Sequence, residues 1–456
     1  MSGDGSRIRR LRSLAMGAAF VLACAGCEIV DRNAASSQAG ASSARAIDPL
    51  AESYVRLALD LGEHDADYVD AYYGPEGWRQ EAKASKKPLG AIRGEAIRLI
   101  ADLHRLDLSR EEKIVRLRRD SLVRQLKALA TRCEMVEGKK LPFDEESKAL
   151  YDAVAPRVGE DEFLRVLGKL DKMLPGRGAL GERYEIFKKA FVVPPDRLDA
   201  VFIAAIREAR RRTLAHIRLP ENESFTVEYV AGKPWSGYNW YKGNSRSVIQ
   251  VNTDLPTYVD RAVDLAAHEG YPGHHVYNAL LESHLAKGRG WIEFTVYPLF
   301  SPQSLIAEGS ANFGIEMVFP GEERVDFERQ VIFPLAGLDP HRAGIYHDVL
   351  DLIQELDYAT NEAGRRFLAG QIDASEAAAW LTRYTLAPKE YAQQRIRFIE
   401  RYRSYVINYN LGRDLVRRYI ESRGGTPDQP DRRWEEFEKL LSTPRFPSGL
   451  FVTERR

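Results

Sequence analysis

The sequence has no excess of either charge: 66 lysines and arginines stand against 66 aspartates and glutamates in 456 residues. A nucleic-acid-binding protein draws on a basic excess or stripe, and none is present. Cysteine is scarce. The three present, Cys24, Cys27 and Cys133, cannot build a disulfide framework in place of a hydrophobic core. The apolar run near the start, Leu14 to Leu22, is well short of the roughly 20 residues a membrane-crossing helix needs. What remains, 44% hydrophobic and 29% charged residues, is the balance of a large globular protein, longer than single cores usually grow.

The first residues differ from the rest. Arg7, Arg9, Arg10 and Arg12 precede an uncharged stretch from Ser13 to Gly26, the layout of a signal peptide. Ala23-Cys24-Ala25-Gly26-Cys27 resembles the bacterial lipoprotein processing site. That resemblance implies lipidation of Cys27, with Cys24 as the alternate, and places the chain in the bacterial cell envelope on a lipid anchor. Asn33 to Ala46 is a tract of small and polar residues that buries too little to order itself. The expected organisation is a signal peptide over 1–26, a lipidated flexible tether over 27–47, an N-terminal helical part over 48–220 and a catalytic part over 221–456. Without residues 1–26 the chain carries 62 basic against 65 acidic residues. Membrane attachment then falls to the lipid and not to charge, and no nucleic-acid partner is expected.

From Asp48 to about Pro220 apolar residues recur at spacings of three and four, as in Ile92, Ala96, Leu99, Ile100 and Leu103, which predicts helices. Ser224 to Val230 alternates and is rich in β-branched and aromatic residues, a strand; Ser247 to Asn252 reads as a second. Between them, Lys233 to Gly243 reads as an aromatic turn whose Trp235, Tyr238, Trp240 and Tyr241 either line a pocket or cover the sheet. Helices resume at Tyr258 and run almost to the end. The class is mainly α with a small β-sheet, and the second strand, just before the next helix, is expected to offer an edge to an extended peptide.

That next helix carries the chemistry. Three of the nine histidines fall within eight positions: His268-Glu269-Gly270-Tyr271-Pro272-Gly273-His274-His275. Two histidines four apart on a helix, with a glutamate after the first, bind zinc in one large class of peptidases. Here the fourth position is Pro272. Proline lacks an N–H and its ring clashes with the carbonyl four residues back, that of His268. In an unbroken helix His274 would point about 120° away from His268, and His275 would sit about 10 Å along the axis. A break at Pro272-Gly273 is therefore required before either can share a metal with His268.

These residues resemble the family labelled domain of unknown function 885, whose His-Glu-x-x-Pro-Gly-His signature marks zinc metallopeptidases similar to the mainly helical, thermolysin-clan enzymes. The resemblance implies one zinc ion held by His268, His274 and Glu308, with His275 as the alternate second ligand. Glu308 comes from Glu308-Gly-Ser-Ala-Asn-Phe-Gly-Ile-Glu316, which matches a second family segment. Glu269 is implied as general base. Tyr409, in Tyr409-Asn-Leu-Gly412, is implied as the hydroxyl that stabilises the oxyanion; Tyr405 is the alternate, and Arg403-Ser404-Tyr405 departs from the family's Pro-Gly-Gln. The expected activity is peptide-bond hydrolysis. A non-catalytic envelope module that keeps a metal site, and a hydrolase of a non-peptide amide, are the competing readings.

Overall fold

The computed structural model describes residues 44–233 and 235–451. The signal-peptide and lipid-anchor readings, including Cys24 and Cys27, lie outside the described residues. The described chain is mainly α, as the apolar spacing predicts, with two small sheets. No helix among the described residues is long and apolar enough to cross a membrane.

The N-terminal helices form because their apolar stripes need covering. Ile92, Ala96, Leu99 and Leu103 of the helix Leu89–Arg105 are buried, as are Leu122, Leu126 and Leu129 of Lys113–Val136. The two helices pack together. Cys133 is a buried, free thiol in this layer, as its place on a helical pattern suggests. The two parts of the chain do not pack separately. One core runs from Ile47 through Leu280 to Leu450, and strand β1 (Val69–Tyr72) pairs antiparallel with a strand more than two hundred residues away, Val296–Pro298. The register slips between Val69 and Ala71, which leaves Asp70 as the residue of a β-bulge. Such an irregularity re-aims one side chain out of the regular pleat.

The second sheet has the order β2-β4-β3, from β2 (Ser224–Val230), β3 (Gly237–Tyr241) and β4 (Arg246–Asn252); Val296–Pro298 is β5. The strand expected to be a free edge, 247–252, is instead central. It pairs in parallel with β2 and antiparallel with β3. The apolar content explains the correction: Val248, Ile249 and Val251 suit a strand with neighbours on both sides. The outer strands are β2 and β3, and β3 lies in the segment read as a turn.

After β4 the chain enters the helix Val259–Leu265, which widens into a π turn over Ala266–Gly270. Tyr271 N–H donates to Ala266 O at 3.1 Å and Gly273 N–H to Ala267 O at 3.0 Å. These bonds reach back five and six residues, and they unwind the helix ahead of a new one, His274–Leu281. Pro272 forces the break, and Gly273 permits its closeness. A Cβ at 273 would run into the carbonyl oxygen of His268 and lie 2.5 Å from that of Ala267.

Candidate metal centre

The break swings His274 back over His268, with ring centres 4.7 Å apart and planes at 86°. Glu308 approaches from the helix Pro302–Val318. Its Oε2 lies 3.4 Å from His268 Nε2 and 3.7 Å from His274 Nε2. Two donors each about 2.1 Å from one tetrahedral ion are separated by about 3.4 Å. The two carboxylate–imidazole distances therefore match edges of such a tetrahedron. Glu308 Oε2 is buried and has no hydrogen-bond partner, an orphan that is costly unless something else satisfies it. Its other oxygen is held: Tyr405 Oη donates to Oε1 at 2.8 Å and accepts from Ser304 Oγ at 3.2 Å. The donor set, two imidazole nitrogens and one carboxylate oxygen, fits a zinc-type ion with a coordination position left over. His268, Glu269 and His274 also lie together, with one ligand atom of each within 4.8 Å of the others.

The position of Glu308 is set by two glycines. The helices Pro302–Val318 and Ile407–Ser422 cross at Gly309 and Gly412, where a Cβ on Gly309 would be 2.5 Å from Gly412 O and 2.8 Å from its Cα. In turn, a Cβ on Gly412 would lie 2.8 Å from Leu305 O. The glycines that follow Glu308 and Tyr409 in the sequence are thus the two halves of one backbone contact. This contact brings Tyr405, Tyr409 and Glu308 to one side of the site.

Charge accumulates there. Burial would disfavour the imidazolium of His274, but the neighbouring carboxylates of Glu308, Glu269 and Asp70 outweigh it and raise its pKa. Burial likewise opposes ionisation of Glu308, yet His268 and His274 hold it well below the usual carboxylate range. Asp70, from the bulge in β1, sits among the same groups. Burial pushes its carboxyl up to about 7, with His274 opposing and Glu308 and Glu269 adding to the rise. Three acidic groups around two imidazoles make a place that favours a cation.

Glu269 is 5% exposed and is covered by the β3 edge. Asn239 Nδ2 donates to its carbonyl at 2.7 Å, and a Cβ on Gly237 would meet its Oε1 at 3.2 Å. His275, adjacent to His274, faces the other way. It is fully buried, with Nδ1 2.9 Å from Ser247 Oγ and Nε2 3.0 Å from Glu223 Oε2. Tyr271 donates to that same Oε2 at 2.5 Å. The alternative that His275 joins His268 is thereby set aside by geometry, because its two nitrogens already serve the sheet and Glu223. Tyr405 is committed to Glu308. Tyr409 lies beside it, ring centres 5.8 Å apart. Its hydroxyl is held well above the usual tyrosine range by burial and by Glu308, with Arg395 opposing. It therefore stays protonated and able to donate.

Sequence reasoning missed Asp70 and the β3 edge. The only signal for β3 was its run of aromatics between glycines, and Asp70 had no motif around it. The remaining histidines are structural where their contacts are described. His347 Nε2 lies 2.8 Å from the buried Glu328, and His216 stacks on Trp434 at 4.8 Å.

No protein-family model matches the chain, and no curated protein matches it. Solved structures that match the chain include two. One is "the putative lipoprotein from Colwellia psychrerythraea", at 15% identity and a TM-score of 0.50, covering 82% of this chain and 68% of that one. The other is the M32 carboxypeptidase from Deinococcus radiodurans R1, at 13% identity and a TM-score of 0.35, covering 89% and 92%.

Proposed function

We propose that the protein is a zinc-dependent peptidase. The observation that carries this reading is the spacing of His268, His274 and Glu308 around an orphaned, buried Glu308 Oε2, with Glu269 directly beside them. A zinc ion held by these three side chains would polarise a peptide carbonyl and make water a nucleophile near neutral pH. The residues of the chain supply the rest. Glu269 accepts the proton of the attacking water and delivers it to the leaving amine. The hydroxyl of Tyr409 donates to the oxyanion as the carbonyl carbon becomes tetrahedral. Tyr405 keeps Glu308 oriented so that Oε2 faces the two imidazoles. An extended substrate adds to the free edge of β3, which brings its backbone past Glu269. We place the chain in the bacterial envelope as an exported lipoprotein, anchored through Cys27.

Replacing Glu269 by Gln tests the reading. The variant keeps its volume and the zinc ligands, so metal content by elemental analysis stays at one ion per chain while turnover of a mixed peptide library falls by about 10²–10⁴. Full turnover by Glu269→Gln, or chelator-insensitive cleavage by the unaltered protein, refutes it.

A further inference from the structure

Arg395 is partly buried on the helix Lys389–Tyr402. Its guanidinium carbon stands 5.0 Å from the ring centre of Phe398 and 5.5 Å from that of Tyr409. Tyr409 in turn packs on Tyr405, the residue bonded to Glu308. Other arginines of this region have carboxylate partners: Arg401 with Asp67, Arg403 with Glu146, Arg413 with Asp357 and Arg417 with Glu316. Among the described residues no carboxylate lies within ion-pair distance of Arg395. Asp357, which acts on it through space, is drawn to Arg413 at 3.5 Å. Partial burial of a guanidinium without an anion is unfavourable, and stacking on two rings offsets only part of the cost. Its planar fork of donors is complementary to a carboxylate.

A peptide brings one carboxylate wherever it ends. Resting on the peptidase reading above, we propose that Arg395 docks the C-terminal carboxylate of the substrate and so restricts cleavage to bonds close to that end. In the reaction water adds across one C–N bond: its oxygen goes to the carbonyl carbon and its protons end on the departing amine and the new carboxyl. The short C-terminal fragment leaves with its original carboxylate unchanged. Arg395 is a specificity residue in this scheme and takes no part in bond making. The same fork would accept an acidic side chain, so the test separates the two sources.

Three N-blocked peptides of one sequence serve as probes: a free acid, its C-terminal amide, and an amide with aspartate in the last position. The zinc-loaded protein should cleave the free acid about 100-fold more efficiently than either amide. It should release a short C-terminal fragment, identified by mass. Arg395→Gln should lower kcat/KM for the free acid by a similar factor and leave the plain amide unchanged, and Arg395→Lys should restore part of the loss. Equal cleavage of acid and amide, an equal loss on both in Arg395→Gln, interior fragments as the main product, or full rescue by the aspartyl amide each overturn the proposal. Calorimetric binding of the uncleaved free acid to Glu269→Gln, with and without Arg395→Gln, gives a readout independent of turnover. Binding that needs both the free carboxylate and Arg395, in a protein that cleaves nothing, would keep the docking site and discard the peptidase. Binding indifferent to either discards the docking site. Arg395→Lys and a thermal melt of each variant exclude misfolding as the cause.

Discussion

Gly309→Ala puts one methyl group where two helix backbones touch. The added carbon would lie 2.5 Å from Gly412 O and 2.8 Å from Gly412 Cα, whereas such atoms rest about 3.5 Å apart or more. No flexible side chain can yield, so the helices Pro302–Val318 and Ile407–Ser422 must separate by about 1 Å. Overpacking of a tight core costs typically 1–3 kcal/mol, and because both surfaces are backbone we take about 3 kcal/mol. At roughly 2.1 cal/mol/K of unfolding entropy per residue over some 400 residues, that lowers Tm by about 3–4 °C. The same displacement stretches the 2.8 Å bond from Tyr405 to Glu308 to about 4 Å, which no longer counts as a hydrogen bond. Glu308 then loses its orientation, and zinc affinity falls about 10-fold or more. Differential scanning calorimetry and a competitive zinc titration measure the two effects. Gly168→Ala is the control: it too lies inside a helix, but a Cβ there meets nothing within 4 Å. It should be neutral or stabilising by up to about 1 kcal/mol. A Gly309→Ala protein that melts and binds zinc like the Gly168→Ala protein would refute the account of the crossing.

The neighbouring histidines should part company on substitution. His274→Ala loses zinc by elemental analysis yet stays folded, whereas His275→Ala takes one of its three side-chain partners from the buried Glu223 and leaves the buried Ser247 hydroxyl without one. That variant should unfold about 3 kcal/mol more easily in urea while its folded fraction still binds metal; the reverse pattern would mean the ligands are misassigned. Glu223 should govern part of the acid stability. Burial opposes its ionisation, but hydrogen bonds from His275, Tyr271 and Arg210 bring its pKa down to about 2 from 4.5. A carboxylate with a depressed folded-state pKa contributes stability above its unfolded value and loses it as the pH falls. About 3 kcal/mol should therefore be present at neutral pH and lost between about pH 4.5 and 2. Urea unfolding across that range should show a loss that Glu223→Gln abolishes, and an identical slope in both proteins would remove Glu223 as its source.

Much of the site was legible because its signals are local. His268, Glu269 and His274 share one short segment, and the need for a break at Pro272-Gly273 follows from the missing N–H and the ring. Glu308 and the tyrosines needed the family resemblance, since nothing in spacing joins them to His268. Their glycines had a physical meaning that only the packing reveals: Gly309 and Gly412 answer each other across a helix crossing. The sheet was half legible. β4 was readable as a strand, but not as a central one, because one sequence does not say what pairs with it. β3 was hidden by flanking glycines and a lack of alternation. β1 and β5 are four and three residues long, too short for a periodicity to emerge, and each is specified by the other across about half of the chain. Asp70 and Arg395 had no signal at all. Each gains its meaning from neighbours that the fold brings from elsewhere.

The helix crossing at Gly309 and Gly412 also orders events in time. In the sequence His268, Glu269 and His274 stand together, well ahead of the helix that fixes Glu308. Glu308 is fixed only when Ile407–Ser422 arrives to press against it and Tyr405 can donate its hydrogen bond. A nascent chain, or one cut short ahead of that helix, holds two imidazoles and a mobile carboxylate instead of a finished centre. On the peptidase reading proposed above, the centre would be complete only once nearly the whole chain is present.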